Sequence, residues 1–157
     1  MTEHLIGVIS DTHGLLRPQA VAALQGVELI LHAGDIGGPE ICAALEKIAP
    51  VLAVRGNIDK DDWNGKLPLT RVVEVGGAQL YVLHDLYLLD LDPAAAGFQA
   101  VICGHSHRPH LERQDGVLYL NPGSAGPRRF TMPVSLALLR VSGQSLAAEL
   151  IELQIRS

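Results

Sequence analysis

Cysteine is scarce here: two residues, Cys42 and Cys103, in a chain of 157. Two thiols make no disulfide framework, and both read as buried thiols of a reducing compartment. Long apolar runs are missing as well. Residues 81–91 form the longest such stretch, and His84, Asp85 and Asp90 break it; a bilayer-spanning helix needs about 20 apolar residues. The opening Met1-Thr2-Glu3-His4 has no basic segment of the kind that starts a signal peptide. A cytoplasmic protein with no membrane partner is the expectation. Positive charge is not in excess either. The formal net charge is −5, which argues against nucleic acid, since that partner needs a basic face. An anionic small molecule stays open as a substrate, because metal ions can supply positive charge locally.

What is present is almost one-half apolar, enough for a substantial core. No linker, repeat or low-complexity segment divides it, so one domain over 1–157 is expected. The first third alternates strands and helices. Residues 5–9, 28–32 and 51–54 are short apolar runs suited to strands buried on both faces. Residues 18–24 and 39–48 suit helices, with Pro18 and Pro39 tolerated in their first turns. A βαβαβ order implies a parallel sheet with right-handed crossovers. The second half changes character. Hairpins are expected over 71–83 around Gly76-Gly77, over 111–120 around Asp115-Gly116 and over 134–153 around Gly143, with a further strand over 100–103. Two packed sheets with helices outside accommodate both halves.

Seven residues stand out against this frame: Asp11, His13, Asp35, Asn57, His84, His105 and His107. Each follows a strand-like run, in the motifs Asp11-Thr12-His13, Gly34-Asp35, Gly56-Asn57, a lone His84, and Gly104-His105-Ser106-His107. Asp11, Asp35 and Asn57 are 24 and 22 residues apart, about one βα unit each time. Ligands of α/β sheets bind beyond the carboxyl ends of strands, so these residues converge at one sheet edge. Glycine at 34, 56 and 104 permits unusual φ or close backbone approach next to each motif. Carboxylate, imidazole and amide oxygen together suit zinc, manganese, iron or nickel better than an all-oxygen calcium or magnesium cage. Two dications against two carboxylates leave net positive charge, which would hold a phosphate and stabilise a bridging hydroxide. Such a pair carries out in-line displacement at phosphorus. A zinc hydrolase acting at a carbon centre remains an alternative. A dinucleotide-binding Rossmann domain does not, since Asp11-Thr12-His13-Gly14 stands where its glycine-rich turn would be.

The ordered set Asp-x-His, Gly-Asp, Gly-Asn, His, Gly-His-x-His resembles the calcineurin-like metallophosphoesterases, in particular their small bacterial and archaeal phosphodiesterase branch. Val54-Arg55-Gly56-Asn57, Gly104-His105-Ser106-His107-Arg108-Pro109 and Asn121-Pro122-Gly123-Ser124 look typical of that branch. The resemblance spans nearly the whole chain. It implies a four-layer α/β/β/α sandwich of two mixed β-sheets flanked by helices. It also implies two divalent ions, manganese first, with zinc, iron(II) or nickel as alternatives. Asp11, His13 and His107 would hold one ion and Asn57, His84 and His105 the other. Asp35 would bridge them, and Asp35, Asn57 and His84 would form the catalytic group. The implied activity is phosphodiester hydrolysis of a small substrate, with a homo-oligomer as a possible assembly. The alternative on the same fold is a scaffold without catalysis, like the retromer subunit.

Two positions depart from the family pattern. Ile58 stands where many relatives carry a leaving-group histidine, and an isoleucine cannot donate a proton. Asp85 replaces the glycine that usually follows the lone histidine; it could orient an imidazole or add negative charge near the phosphate. His32 is expected to be structural rather than a ligand. Arg55 could support the site, Arg128 and Arg129 could contact a phosphate, His4 and His110 read as ordinary, and the loop 121–126 should pack near the site.

Overall fold

The computed structural model describes residues 2–59, 67–129 and 131–155. Strands β1 (Glu3–Ile9), β2 (Leu29–His32) and β3 (Val51–Ala53) alternate with helices α1 (Pro18–Ala23) and α2 (Pro39–Glu46). Then come β4 (Thr70–Val75), β5 (Ala78–Leu83), a 3-10 turn (Leu86–Leu88), α3 (Pro93–Ala96), β6 (Ala100–Ile102), β7 (His110–Gln114), β8 (Val117–Asn121), β9 (Ser135–Ser142) and β10 (Ser145–Glu152). They form two five-stranded sheets, ordered β10-β9-β1-β2-β3 and β4-β5-β6-β8-β7. Both are mixed: β1–β2–β3 and β5–β6–β8 run parallel, and the remaining neighbours pair antiparallel. This is the two-sheet sandwich expected from the chain.

Period-two alternation explains the layering. Ile6, Val8, Leu31, Leu80, Val82, Ile102, Leu120 and Leu139 point between the sheets and are buried there. Ile9, Ile30 and Leu136 point the other way and meet Ala20 and Leu24 of the α1 segment and Ile41 and Leu45 of α2. Fully burying one such side chain is worth about 1.5–3 kcal/mol, so each face specifies its own register. On the outer face of the second sheet, Tyr81, Leu83 and Val101 pack against the partly buried Leu89, Leu91 and Phe98. Helix α2 stops at Glu46, two residues short of the expected end, where the Lys47 and Ile48 amides switch to the carbonyls of Ala44 and Leu45, three residues back.

Register is what builds the site. Ile9 pairs with His32, and His32 with Ala53, so β1, β2 and β3 end level. In the other sheet Val82 pairs with Ile102, and Ile102 with Leu120. The loops carrying all seven candidate residues therefore leave from level strand ends, and cross-sheet hydrogen bonds tie them together. His84 Nδ1 lies 2.7 Å from the Ala33 carbonyl, and the His105 amide donates to Asp11 Oδ2 at 3.1 Å.

Candidate metal centre

Two groups of ligand-capable atoms lie at this edge: Asp11, His13 and His107, and Asp35, His84 and His105. Within each group the atoms all fall within 4.8 Å of one another. Asn57 lies on the loop after β3 and shares a cleft with His84. All seven residues singled out in the sequence thus sit on the loops of one edge.

The backbone is bent to present them. Among the described residues six non-glycines have positive φ, and five are Asp11, His13, Asp35, His105 and His107; the sixth, Asp115, is in the β7–β8 turn. Left-handed backbone costs an L-residue roughly 1–2 kcal/mol, and the surrounding packing must hold it. Glycines let the loops close up. A Cβ at Gly104 would lie 2.0 Å from Ser10 Oγ and 2.7 Å from Asp11 Oδ2.

Asp11 is fully buried. Its Oδ2 accepts from Ser10 Oγ at 2.7 Å and from the His105 amide. Among the described residues its Oδ1 has no hydrogen-bond donor. Instead, Nε2 atoms of His13, His84 and His107 stand 3.8, 3.9 and 3.5 Å from it. A buried carboxylate oxygen without a donor is costly, and convergent imidazole nitrogens around it suit a cation. His84 donates from Nδ1 to Ala33, which turns its Nε2 lone pair toward Asp35 Oδ2 at 3.2 Å. Asp35 Oδ1 accepts from the Ile58 amide at 3.0 Å. Burial works against ionisation of Asp35, but His84, the Ile58 amide and His13 outweigh it and hold the carboxyl down at about 2. The adjacent Asp11 carboxylate, with Asp35 behind it, raises His13 despite burial. His84 is raised too, where Asp35 and Asp11 overcome burial. His107 is lowered by burial, with Arg129 and His13 adding to the effect. The donor set, one carboxylate and two imidazoles on each side, fits divalent ions of the zinc–manganese group.

Residues 5–144 match the calcineurin-like phosphoesterase superfamily domain. The chain belongs to the calcineurin-like phosphoesterase family. It is 39% identical over 159 residues to a probable metallophosphoesterase of Methanothermobacter thermautotrophicus, covering 94% of this chain and 91% of that one. It is 27% identical over 137 residues to a phosphodiesterase of Methanocaldococcus jannaschii, covering 75% and 82%. Vacuolar protein sorting 29 from Cryptosporidium parvum superposes with a TM-score of 0.78 at 20% identity, over 99% of this chain and 100% of that structure.

Several residues of this phosphoesterase do more than their motifs suggest. Asp59, buried, accepts from the amides of Ile36, Gly37 and Gly56 at 2.9–3.2 Å. It clamps the Asp35 loop to the Asn57 loop. Asn121 donates to the Gly104 carbonyl at 2.9 Å and to Ser106 Oγ at 3.1 Å, and Ser124 Oγ donates to the Asp11 carbonyl at 3.0 Å. The loop after β8 therefore braces both halves of the centre. Asp85 caps the 3-10 turn through Tyr87 N at 3.1 Å, and its Oδ2 stands 3.9 Å from His105 Nε2. That is beyond hydrogen-bond reach, so Asp85 adds charge there rather than orienting the ring. The charge of Arg129 is felt by His13 and His107, whereas Arg128 lines a hollow with Glu152 and Leu153. His4 and His110 pair with Glu28 and Glu112 on the surface. No helix among the described residues is long and apolar enough to cross a membrane.

Proposed function

We propose that this chain is a metal-dependent phosphodiesterase taking two divalent ions. The observation that carries the reading is the pair of ligand groups meeting around Asp11 and Asp35, with Asp11 Oδ1 buried and without a donor among the described residues. Asp11, His13 and His107 would hold one ion. Asn57, His84 and His105 would hold the other, and Asp35 would be shared. Manganese is proposed first, with zinc, iron(II) and nickel compatible with the same donors. When bound, such ions acidify water and offset the charge that builds on phosphoryl oxygens.

The protein's own contribution is placement. The Ala33 carbonyl fixes the ring of His84, and the Ile58 amide fixes the carboxylate of Asp35. Asp35 remains ionised throughout the neutral range. Ile58, 45% exposed beside Asn57, has no proton to give a departing alkoxide. The proposed substrates are small diesters whose leaving group is already acidic, such as nitrophenyl esters.

The test is metal analysis of purified protein together with a bis(4-nitrophenyl) phosphate assay under several metals, with orthovanadate as inhibitor. Metal-dependent, vanadate-sensitive hydrolysis is expected, and Asp35→Asn should abolish it. Bound metal without hydrolysis would leave the scaffold reading, and vanadate-insensitive amide or ester cleavage would leave chemistry at carbon.

A further inference from the structure

Beside Asn57 and His84 a cleft of about 650 Å³ opens along the outer face of the second sheet, within the roughly 300–1,000 Å³ usual for small-molecule sites. Tyr81 and Leu83 of β5 line it and are buried. Leu69, just before β4, and Leu88, in the 3-10 turn, also line it yet are 60% and 73% exposed. Two large apolar side chains left to water on the lining of one cleft gain by covering it with something apolar. Among the described residues its lining carries one cation, Arg55, and two carboxylates, Asp85 and Asp90. That balance opposes a second phosphate and tolerates a neutral group. Asp85 stays in place because it caps the 3-10 turn.

We infer that this cleft binds one ester arm of the substrate, and that the arm is an uncharged, ring-bearing alcohol or phenol packed over Leu69 and Leu88. The inference rests on the phosphodiesterase reading, because Asn57 and His84 at the end of the cleft are proposed to hold one of the ions that would take the phosphoryl group. A flat ring extending from that end would shield both leucines and lie over Tyr81 and Leu83. A methyl arm would leave them wet.

Calorimetric titration of the manganese-loaded protein with diphenyl phosphate and with dimethyl phosphate tests this. Phenolate is a poor leaving group without a proton donor, so binding can be read before turnover. Diphenyl phosphate should bind at least about tenfold tighter. In Leu69→Asn/Leu88→Asn the ratio of the two affinities should fall below about threefold; both positions are exposed, so folding should survive, which circular dichroism verifies. Equal affinities in the wild type, or a ratio that persists in the double variant, would overturn the inference. Hydrolysis of bis(4-nitrophenyl) phosphate by the same preparations separates the two readings. Arm-dependent binding without hydrolysis removes the enzymatic reading and keeps the cleft. Hydrolysis without arm-dependent binding removes the cleft and keeps the enzyme.

Discussion

His32 Nε2 lies 3.0 Å from Thr12 Oγ1, and the Gly34 amide donates to its Nδ1 at 3.1 Å. With Nδ1 occupied as an acceptor, the ring proton must be on Nε2 and must be given to Thr12. The threonine hydroxyl then donates to the Ile36 carbonyl at 2.7 Å. A neutral imidazole thereby holds the residue between Asp11 and His13, and it spans the loops after β1 and β2.

The tautomer makes His32 acid-sensitive. Burial pushes its imidazole down to about 4 against the pull of Asp11 and Asp59, while an unfolded histidine sits near about 6.5. Below that value the unfolded chain takes up a proton that the folded chain refuses. The contribution of His32 to stability is therefore complete above about pH 6.5 and is lost as pH falls toward 4, about 2 kcal/mol of it by pH 5. His32→Gln removes this titration. Urea unfolding of metal-free protein at about pH 7.5 and about pH 5 should show the wild type's stability advantage over the variant shrinking at the lower pH. An advantage that does not change with pH would contradict the assignment.

Metal uptake should release protons. Asp11 raises His13, and Asp35 with Asp11 raises His84 against burial. Metal-free protein therefore keeps protons on these rings at pH values where an isolated imidazole is losing them, and an imidazole must be neutral to ligate. Manganese titrations in two buffers of different ionisation enthalpy should give different heats. The difference should widen, and the affinity drop, as pH is lowered from about 7.5 to about 6. Buffer-independent heats would argue that these histidines do not ligate.

The strand-end motifs made most of this edge legible, because the apolar runs fix where β1, β2 and β3 end and the level ends follow from pairing. The β7–β8 turn was legible too. Asp115-Gly116 signals left-handed backbone, and both residues have positive φ. His105 and His107 adopt the same region with no such signal. Tertiary hydrogen bonds to Asp11 and Asn121 place that loop, and no local pattern announces them. The turn Leu86–Leu88 and α3 were missed for a different reason. They are three and four residues long, below any period, although Asp85 and Asp92 cap both. The work of Asp59 and His32 was hidden because their partners include a backbone amide 23 residues away and a hydroxyl 20 residues away, brought close only by the fold.

Gly56 should tolerate no side chain. An added Cβ would stand 2.2 Å from the Asp35 amide nitrogen and 2.3 Å from Asp35 Oδ1. The first is backbone, and the second is braced by Ile58, so neither can move aside cheaply. Gly56→Ala should cost about 1–3 kcal/mol by overpacking and should lower bound metal along with activity. At Gly77 the nearest atom to an added Cβ is 3.3 Å away in another hairpin, so Gly77→Ala should leave metal content intact. Thermal unfolding and metal analysis of both variants check this.

Asp85 separates two roles in one side chain. Its Oδ1 caps the 3-10 turn through Tyr87 N, and its Oδ2 is 3.9 Å from His105 Nε2. Asparagine caps about as well as aspartate, so Asp85→Asn should change unfolding free energy by no more than about 0.5 kcal/mol. It removes a negative charge next to His105, where a cation is proposed to bind, and the carboxylate is only 22% exposed and so only partly screened. Metal affinity should therefore fall while stability holds. Asp85→Ala should lose both, because it also strips the cap, at a cost of about 1 kcal/mol. Parallel metal titrations and urea unfolding of the two variants distinguish these outcomes. Unchanged metal affinity in Asp85→Asn would leave Asp85 with the cap alone.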